Sequence, residues 1–448
     1  MRIHQNAEYI IDTLINSGYE AYIVGGCVRD FLMKVCPYDW DVTTNAKPEE
    51  IKAVFADYKT IDTGIKHGTV TVRFEGQNYE ITTYRTDGKY ISNRKPESVI
   101  FIDNLKEDLK RRDFTINAMA YNKYEGLIDF FGGQKDIEDH LIRCVGNPDS
   151  RLSEDALRIM RALRFASEKG FEIEPKTYRA MCRHKNLLTN ISSERIASEL
   201  NKILLGDYVF KTLKNYAQPL FQVIPELELA VGFKQNNPHH SLDVYDHILS
   251  SVSNAPKDLE LRLTMLFHDI GKPFCYTQID GTGHFYGHSK ISAEIAGKTL
   301  KKLKYDSNTI EHVTKLVLHH GLELIPSPKI VRRNLSRYGQ YLFEKLLEAK
   351  QADIKAANPD FALERLEHIK EVKHVLKEVL KSGQCFSMKD LSINGSDIME
   401  LGIAEGKEIG IILKTILDMV IDGELENDRD AIIKKIRFME ADKNSSLK

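Results

Sequence analysis

The chain has 448 residues, 42% of them hydrophobic and 29% charged, with a formal net charge of −2 at pH 7. That length exceeds one compact core and predicts two to four domains of ordinary globular composition. Near-neutrality excludes a global basic field, so any nucleic-acid binding must come from local basic patches.

Six cysteines, at 27, 36, 144, 182, 275 and 385, form no CxxC pair. They predict reduced thiols in a cytoplasmic protein, not a disulfide frame or a zinc knuckle. Residues 1–16 set Ile3, Ala7, Ile10, Ile11 and Leu14 on one helical face. Glu8 and Asp12 fall within that pattern, so it does not read as a signal peptide. Strand-like runs follow: "AYIVG", "WDVTT", "GTVTVRF" and "NYEITTYR". Residues 87–96, "DGKYISNRKP", carry turn formers and bases without an apolar period and predict a mobile loop. After "LIDFFGG" the strand signals fade, and from about residue 150 the chain reads as successive helices. A histidine-rich region opens at "HSLDVYDHILSSV". Gly and Ser in "KSGQCFSMKDLSINGSD" then set off a last helical segment. Within it "IGIILKTILDMVI" is interrupted by Lys414 and Asp418, which makes it an amphipathic helix and not a membrane span. No internal repeat is evident.

Two short motifs carry chemistry. "AYIVGGCVRD" ends an apolar run on Gly25 and Gly26, where bare backbone N–H groups approach phosphates, with Arg29 nearby. "DWDVTT" places Asp39 and Asp41 one residue apart in a strand-like run, which predicts that they share a face. Paired carboxylates repel unless a cation sits between them, and oxygen ligands suit Mg²⁺. Glu80 supplies a third carboxylate from another run. Three carboxylates with two metals make a phosphoryl-transfer site. Taken singly, a GG is most often a turn and a DxD a solvated strand end.

Together, at this spacing, the two motifs resemble the nucleotidyltransferase superfamily that includes DNA polymerase beta. Further motifs sharpen the likeness: "TGIKHGTVTV", "EITTYRTDG", "EDLKRRDFTINAMAY", "EDALRIMRALRFA" and "SSERIASEL". They occur in the order found in class II tRNA nucleotidyltransferases, the CCA-adding enzymes and their bacterial poly(A) polymerase relatives. The likeness covers about the first 240 residues and returns in the tail. It implies an α+β fold, with a small polymerase-beta-like head on a mainly helical neck, an HD body and a helical tail. The implied limits are 1–140 for the head and 141–240 for the neck with base recognition and RNA binding. They are 241–365 for the HD domain and 366–448 for the tRNA-binding tail. It also implies that Gly25, Gly26, Arg29, Asp39 and Asp41 bind triphosphate and metal. Arg111, Arg112 and Asp113, with Asn117, contact the nucleotide. Glu154, Asp155 and Arg158, with Arg161 and Arg164, read the base. The chain departs from the family at "SNRKP", which lacks the acidic residue often found in that loop.

Base choice also follows from chemistry. Asp155 and Arg158 stand at i and i+3, which predicts neighbours on one helical face. Cytosine and adenine each present an amino group beside an unprotonated ring nitrogen. An aspartate accepts from the first and an arginine donates to the second. Guanine and uracil reverse that order, and a bidentate contact discriminates by ~1–3 kcal/mol. The competing reading is a surface ion pair.

The middle of the chain supplies His247, His268, Asp269, His288, His319 or its neighbour His320, and Asp353. Imidazole with carboxylate suits a metal softer than Mg²⁺, such as Mn²⁺, Co²⁺ or Ni²⁺. The spread resembles the H…HD…D pattern of HD phosphohydrolases, acting on phosphoester ends or cyclic phosphates. The alternative is a decayed HD domain kept as an RNA-binding body. The function expected is template-independent addition or repair of the 3′-terminal CCA of tRNA from CTP and ATP. Its alternatives are poly(A) polymerase, or an HD phosphohydrolase with an RNA-binding N-terminal part. No membrane and no obligate protein partner is expected.

Overall fold

The computed structural model describes residues 3–37, 39–88, 90–91, 95–96, 99–383 and 386–446. The chain divides into two compact units, Met1–Glu228 with Lys302–Tyr305 and Leu229–Lys301 with Asp306–Lys448.

The first unit opens with the helix Gln5–Asn16, whose Ala7, Ile10, Ile11 and Leu14 are buried as their spacing predicts. It lies against a strand, β1 (Ala21–Val24), that is buried along its whole length. Then come β2 (Val42–Thr44), β3 (Lys59–Ile61), β4 (Thr69–Phe74) and β5 (Gln77–Thr83). β4 alternates, with Val70 and Val72 inward and the residues between them more open, as a half-covered strand should. Next are β6 (Arg85–Asp87), β7 (Tyr90–Ile91), β8 (Lys95–Pro96) and β9 (Val99–Phe101). β10 (Ala120–Asn122) and β11 (Gly126–Ile128) complete a seven-stranded sheet of order β11-β10-β1-β2-β5-β4-β3. Only the β2–β5 pair in it is parallel. Tyr22 and Val24 share a core with Tyr84, Leu105, Leu109 and Ala120.

Two expectations change here. "DWDVTT" is a strand only from Val42, so Asp39 and Asp41 precede it. Asp41 O still accepts the Val24 N–H (3.0 Å), and beyond that bond β1 ends, where Gly25 turns away at φ +80°. The segment expected as a mobile loop is paired where it is described, β6 with β9 and β7 with β8. Backbone ladders need no apolar side-chain period, which is why the sequence concealed them. Lys89, Ser92, Asn93, Arg94, Glu97 and Ser98, within and beside "SNRKP", lie outside the described residues, as does Cys385.

Beyond the sheet the unit is mainly helical, with Pro148–Glu154, Leu157–Lys169, Pro175–His184, Ser193–Leu205, Val209–Asn215 and Gln218–Val223. Leu157–Lys169 and Ser193–Leu205 pack closely: Ser167 Oγ donates to Ile203 O (2.6 Å). A Cβ on Gly206 would overlap Ser167, so that crossing requires glycine.

The second unit is almost all helix. Val244–Asn254 lies against Leu259–Phe267 and the long Pro328–Ala356, which is interrupted at Gly339. Pro359–Lys381 adds Ile369, Val372, Leu376 and Val379 to a core with Val331, Leu335, Phe343 and Leu347. The C-terminal helices have their own core, in which Ile412, Ile416, Leu417 and Ile421 of Lys407–Asp422 meet Ile398, Ile432 and Ile436. Lys414 and Asp418 pair on the outer face of that helix (3.2 Å), as its amphipathic pattern requires. No described helix is long and apolar enough to cross a membrane.

Candidate active site

Gly25 caps the helix Gly26–Leu32, and an added Cβ there would lie 2.9 Å from Arg112 Nη1. The positive φ demands glycine, and a side chain there would also displace the Arg112 guanidinium. One turn on, buried Arg29 donates Nη1 to Asn117 Oδ1 (2.6 Å) and Nε and Nη2 to Asp30 (2.9 and 2.8 Å). Asn117 donates to Asp113 Oδ1 (3.0 Å), and Asp113 Oδ2 accepts Arg161 Nε (2.8 Å) and Nη2 (2.6 Å). Burial alone would raise the Asp113 carboxyl, but Arg161 and Asn117 override it and hold it well below the usual range. A continuous hydrogen-bonded chain, Asp30–Arg29–Asn117–Asp113–Arg161, thus links the glycine turn to the helix Leu157–Lys169.

Asp39 and Asp41 open into the same cavity, of about 840 Å³. Val42 pairs with Ile81 across the parallel strands, which sets Asp41 beside Glu80. The surrounding protein desolvates Asp41 and raises its carboxyl. Arg112 pulls it down, while Glu80 and Asp39 push it further up. Among the described residues, two sets of three ligand-type side chains bring their ligand atoms within 4.8 Å, and Asp39, Asp41 and Glu80 are not one of them. The trio is an open, oxygen-only donor set. It fits a hard divalent cation that keeps part of its water shell.

The other wall is the helix Leu157–Lys169. Asp155 is not part of it: with φ −129° and ψ 102° it is the break after Pro148–Glu154. Asp155 and Arg158 therefore do not share a helical face, although both line the cavity. Asp155 Oδ1 accepts the Leu157 N–H (3.1 Å), and its Oδ2 pairs with Arg195 (3.2 Å). The local cap competes with the helix and wins, as aspartate at a helix start often does. Buried Arg158 donates Nη1 to Arg151 O (2.7 Å) and Glu154 Oε2 (2.8 Å), and Nη2 to Arg111 O (2.9 Å). Glu154 stands behind it and also holds Arg151 (2.6 Å). Arg164 pairs with Glu199 (3.4 Å). Arg29, Arg161 and Arg164 surround the Phe165 ring at 5.1, 5.4 and 4.4 Å. Nine basic and six acidic side chains line the cavity, an excess of positive charge that suits a polyanion. Phe165, Arg195 and Lys202 belong to this lining, and sequence reasoning passed over them. Arg195 lay inside the quoted "SSERIASEL".

A second cluster lies in the second unit. His247 and His268 bring their Nε2 atoms to 3.2 Å, with Asp269 Oδ2 at 3.3 Å from each. Asp353 Oδ1 is 3.1 Å from His247 Nε2. On the other side of Asp269, Oδ1 is 3.4 Å from His288 Nε2 and 3.6 Å from His320 Nε2, themselves 3.2 Å apart. The sixth residue is thus His320. His319 turns its ring onto Tyr338, because consecutive residues at a helix end point about 100° apart. Each imidazole Nδ1 faces a carbonyl, of Ala356, Met265, Phe285 and Val317 in turn (3.3, 2.7, 2.7 and 2.7 Å). A carbonyl only accepts, so Nδ1 carries the proton and four Nε2 lone pairs converge. Facing lone pairs at 3.2 Å call for a cation, and the mixed nitrogen and oxygen donors fit a transition metal. Without one, Asp269 and Asp353 overcome burial to push His247 up to about 9, while burial pulls His288 down to about 4. Lys272, three residues after Asp269 and passed over in the sequence reading, reaches Asp269 Oδ2 (2.6 Å).

Three family models match the chain. They are the Poly A polymerase head domain over residues 21–143, the RNA and SrmB-binding site of polymerase A over 170–229, and tRNA nucleotidyltransferase domain 2 over 284–436. The CCA-adding enzyme of Lactobacillus helveticus is 32% identical over 96% of this chain and 96% of its own. That of Bacillus licheniformis is 34% identical over 94% and 95%. The crystal structure of Bacillus stearothermophilus CCA-adding enzyme in complex with CTP aligns over 98% of both chains, with a TM-score of 0.69 and 31% identity. The Thermotoga maritima CCA-adding enzyme complexed with tRNA(CCA), 20% identical, shares the fold over 98% of this chain at a TM-score of 0.59.

Proposed function

Because the chain belongs to the CCA-adding enzymes, we propose that the cavity of its first unit is where it builds or repairs the 3′-terminal CCA of tRNA from CTP and ATP. One observation carries the reading. A single cavity joins the carboxylates Asp39 and Asp41 to the donor–acceptor pair Arg158 and Asp155. The family requires a divalent metal, for which we assign Mg²⁺ to Asp39, Asp41 and Glu80. When bound, the ions acidify the tRNA 3′-hydroxyl and steady the departing pyrophosphate. The Gly25–Gly26 turn, Arg29 and Arg112 would meet the triphosphate. Asp113 and Asn117 act mainly by fixing Arg161 and Arg29. Arg158 donates to the ring nitrogen of cytosine or adenine, and Asp155 accepts from the amino group. Full-length relatives that add CCA favour this over poly(A) synthesis. The head, neck, HD body and tail limits given above are proposed with it, as is a cytoplasmic location. The test is addition to tRNA transcripts ending before CCA, at C, or at CC, with each nucleoside triphosphate singly and in pairs. Incorporation of U or G as readily as C and A, or unlimited A addition, would refute it.

A second reading concerns the second unit. The four converging Nε2 atoms, bridged by Asp269, support a metal-dependent phosphohydrolase that clears phosphate or cyclic phosphate from RNA 3′ ends. The blocked hydroxyl is the one that the first site must activate. Hydrolysis by metal-stripped protein given Mn²⁺, Co²⁺ or Ni²⁺ tests it, and inactivity with all three would refute it.

A further inference from the structure

We propose that a cleft of about 600 Å³ beside the histidine cluster is the nucleoside subsite of that cluster, taking a ribonucleoside phosphate ester. The inference rests on the hydrolase reading above and adds the ligand and the residues that hold it.

The cleft belongs to the second unit and borders the cluster through Lys350. Lys350 Nζ is 3.7 Å from Asp353 Oδ2 and donates to His320 O (3.4 Å), so it touches both halves of the cluster. The cluster is buried except at one member of each half. The His288 side chain is 22% exposed and Asp353 13%, while the others are 6% or less. Of the two openings, the one at Asp353 is the one that Lys350 joins to the cleft, so a phosphate held there would leave the group it carries on the cleft side.

The cleft wall suits a flat heterocycle. Phe361 is 40% exposed and Ile325 42%, an unusual openness for residues of this size inside a concavity. His239 meets Phe361 edge-on with ring centroids 4.8 Å apart, and Asn358 fixes its backbone by donating its N–H to His239 O (2.9 Å). Phe361 and Arg365 stand at i and i+4 on one face of Pro359–Lys381. Arg365 makes no hydrogen bond or ion pair among the described residues, so its guanidinium is available to a ligand. An aromatic face and a free guanidinium, one helical turn apart, form a stacking platform for a base beside a donor for ribose or phosphate oxygens. Glu364, on the same rim, makes the cleft unsuited to a bare polyanion. In the reaction a water oxygen bonds to phosphorus and one phosphorus–ribose oxygen bond breaks. One water proton goes to the departing ribose oxygen and the other to solvent.

The test uses the full chain with Phe361→Ala and Arg365→Gln, both at accessible positions. Metal-stripped protein is titrated calorimetrically with uridine and guanosine 3′-monophosphates, bases that the C- and A-selecting site rejects. Metal-loaded protein is assayed on nucleoside 2′,3′-cyclic phosphates, on oligoribonucleotides with the same end, and on glycerol 1,2-cyclic phosphate, which has no base. The expected result is about tenfold weaker binding and about tenfold higher KM for the nucleoside substrates. Turnover of the glycerol ester and CCA addition should be unchanged. A stronger effect on the oligonucleotide identifies RNA ends as the source, and an equal one identifies free nucleotides. Wild-type hydrolysis with both variants indistinguishable from it overturns the subsite and leaves the metal reading standing. Loss of binding in the variants with no hydrolysis by any form overturns the metal reading and leaves a nucleotide-binding cleft.

Discussion

Replacing Glu154 with alanine should cost base selection without removing any group that touches the base. Glu154 Oε2 holds Arg151 at 2.6 Å and Arg158 at 2.8 Å, and the Arg158 side chain is only 9% exposed. A hydrogen bond to a charged group is worth about 1.5–3 kcal/mol. Arg158 would keep the Arg151 and Arg111 carbonyls but lose the Glu154 carboxylate. The guanidinium could then turn on its remaining anchors, and the bidentate match to C and A would loosen. Since such a match discriminates by ~1–3 kcal/mol, preference for C and A over U and G should fall by roughly 5- to 150-fold. Glu154→Gln keeps an acceptor but no charge and should fall between. The assay is kcat/KM for each of the four triphosphates on a tRNA transcript ending at CC. Equal selectivity in wild type and Glu154→Ala, within a factor of about two, would refute the positioning role.

Asp39→Ala and Asp41→Ala should each abolish addition while filter binding of tRNA stays near normal; residual addition at wild-type rates would exclude both as metal ligands. Asp41→Asn should also raise the metal-free melting temperature. The folded protein raises the Asp41 carboxyl, so its ionised form destabilises the fold once pH exceeds the ordinary aspartate range, and the neutral amide removes that cost. Scans in EDTA at pH 7.5 should show the gain, and scans well below pH 4 should not. Asp113 behaves in the opposite sense. Its lowered carboxyl stabilises the protein above the aspartate range and loses that contribution on acidification, so Asp113→Ala should flatten the acid limb of a stability–pH curve. His268→Ala with Asp269→Ala should abolish hydrolysis of 2′,3′-cyclic nucleotides with Mn²⁺, Co²⁺ or Ni²⁺, and CCA addition to intact ends should persist.

Local chemistry was legible in the residues alone. A glycine pair after an apolar strand announces a positive φ and a close approach, and Gly25 shows both against Arg112. Apolar spacing located the helix Gln5–Asn16 and the amphipathic face of Lys407–Asp422, because helical period and burial are properties of short windows. Ligand type was legible too: carboxylates alone in one region, imidazoles with carboxylates in another. What no window contains is relative placement. Glu80 reaches Asp41 through a strand register set 39 residues away. Arg195 reaches Asp155 because Gly206 lets two helices cross closely. Between His319 and His320 composition offers no choice, and the packing of one helix end onto Tyr338 decides it. Asp155 leaves the helix because its carboxylate binds the Leu157 N–H, a local bond that competes with the helix and that the Arg195 pairing reinforces from another helix.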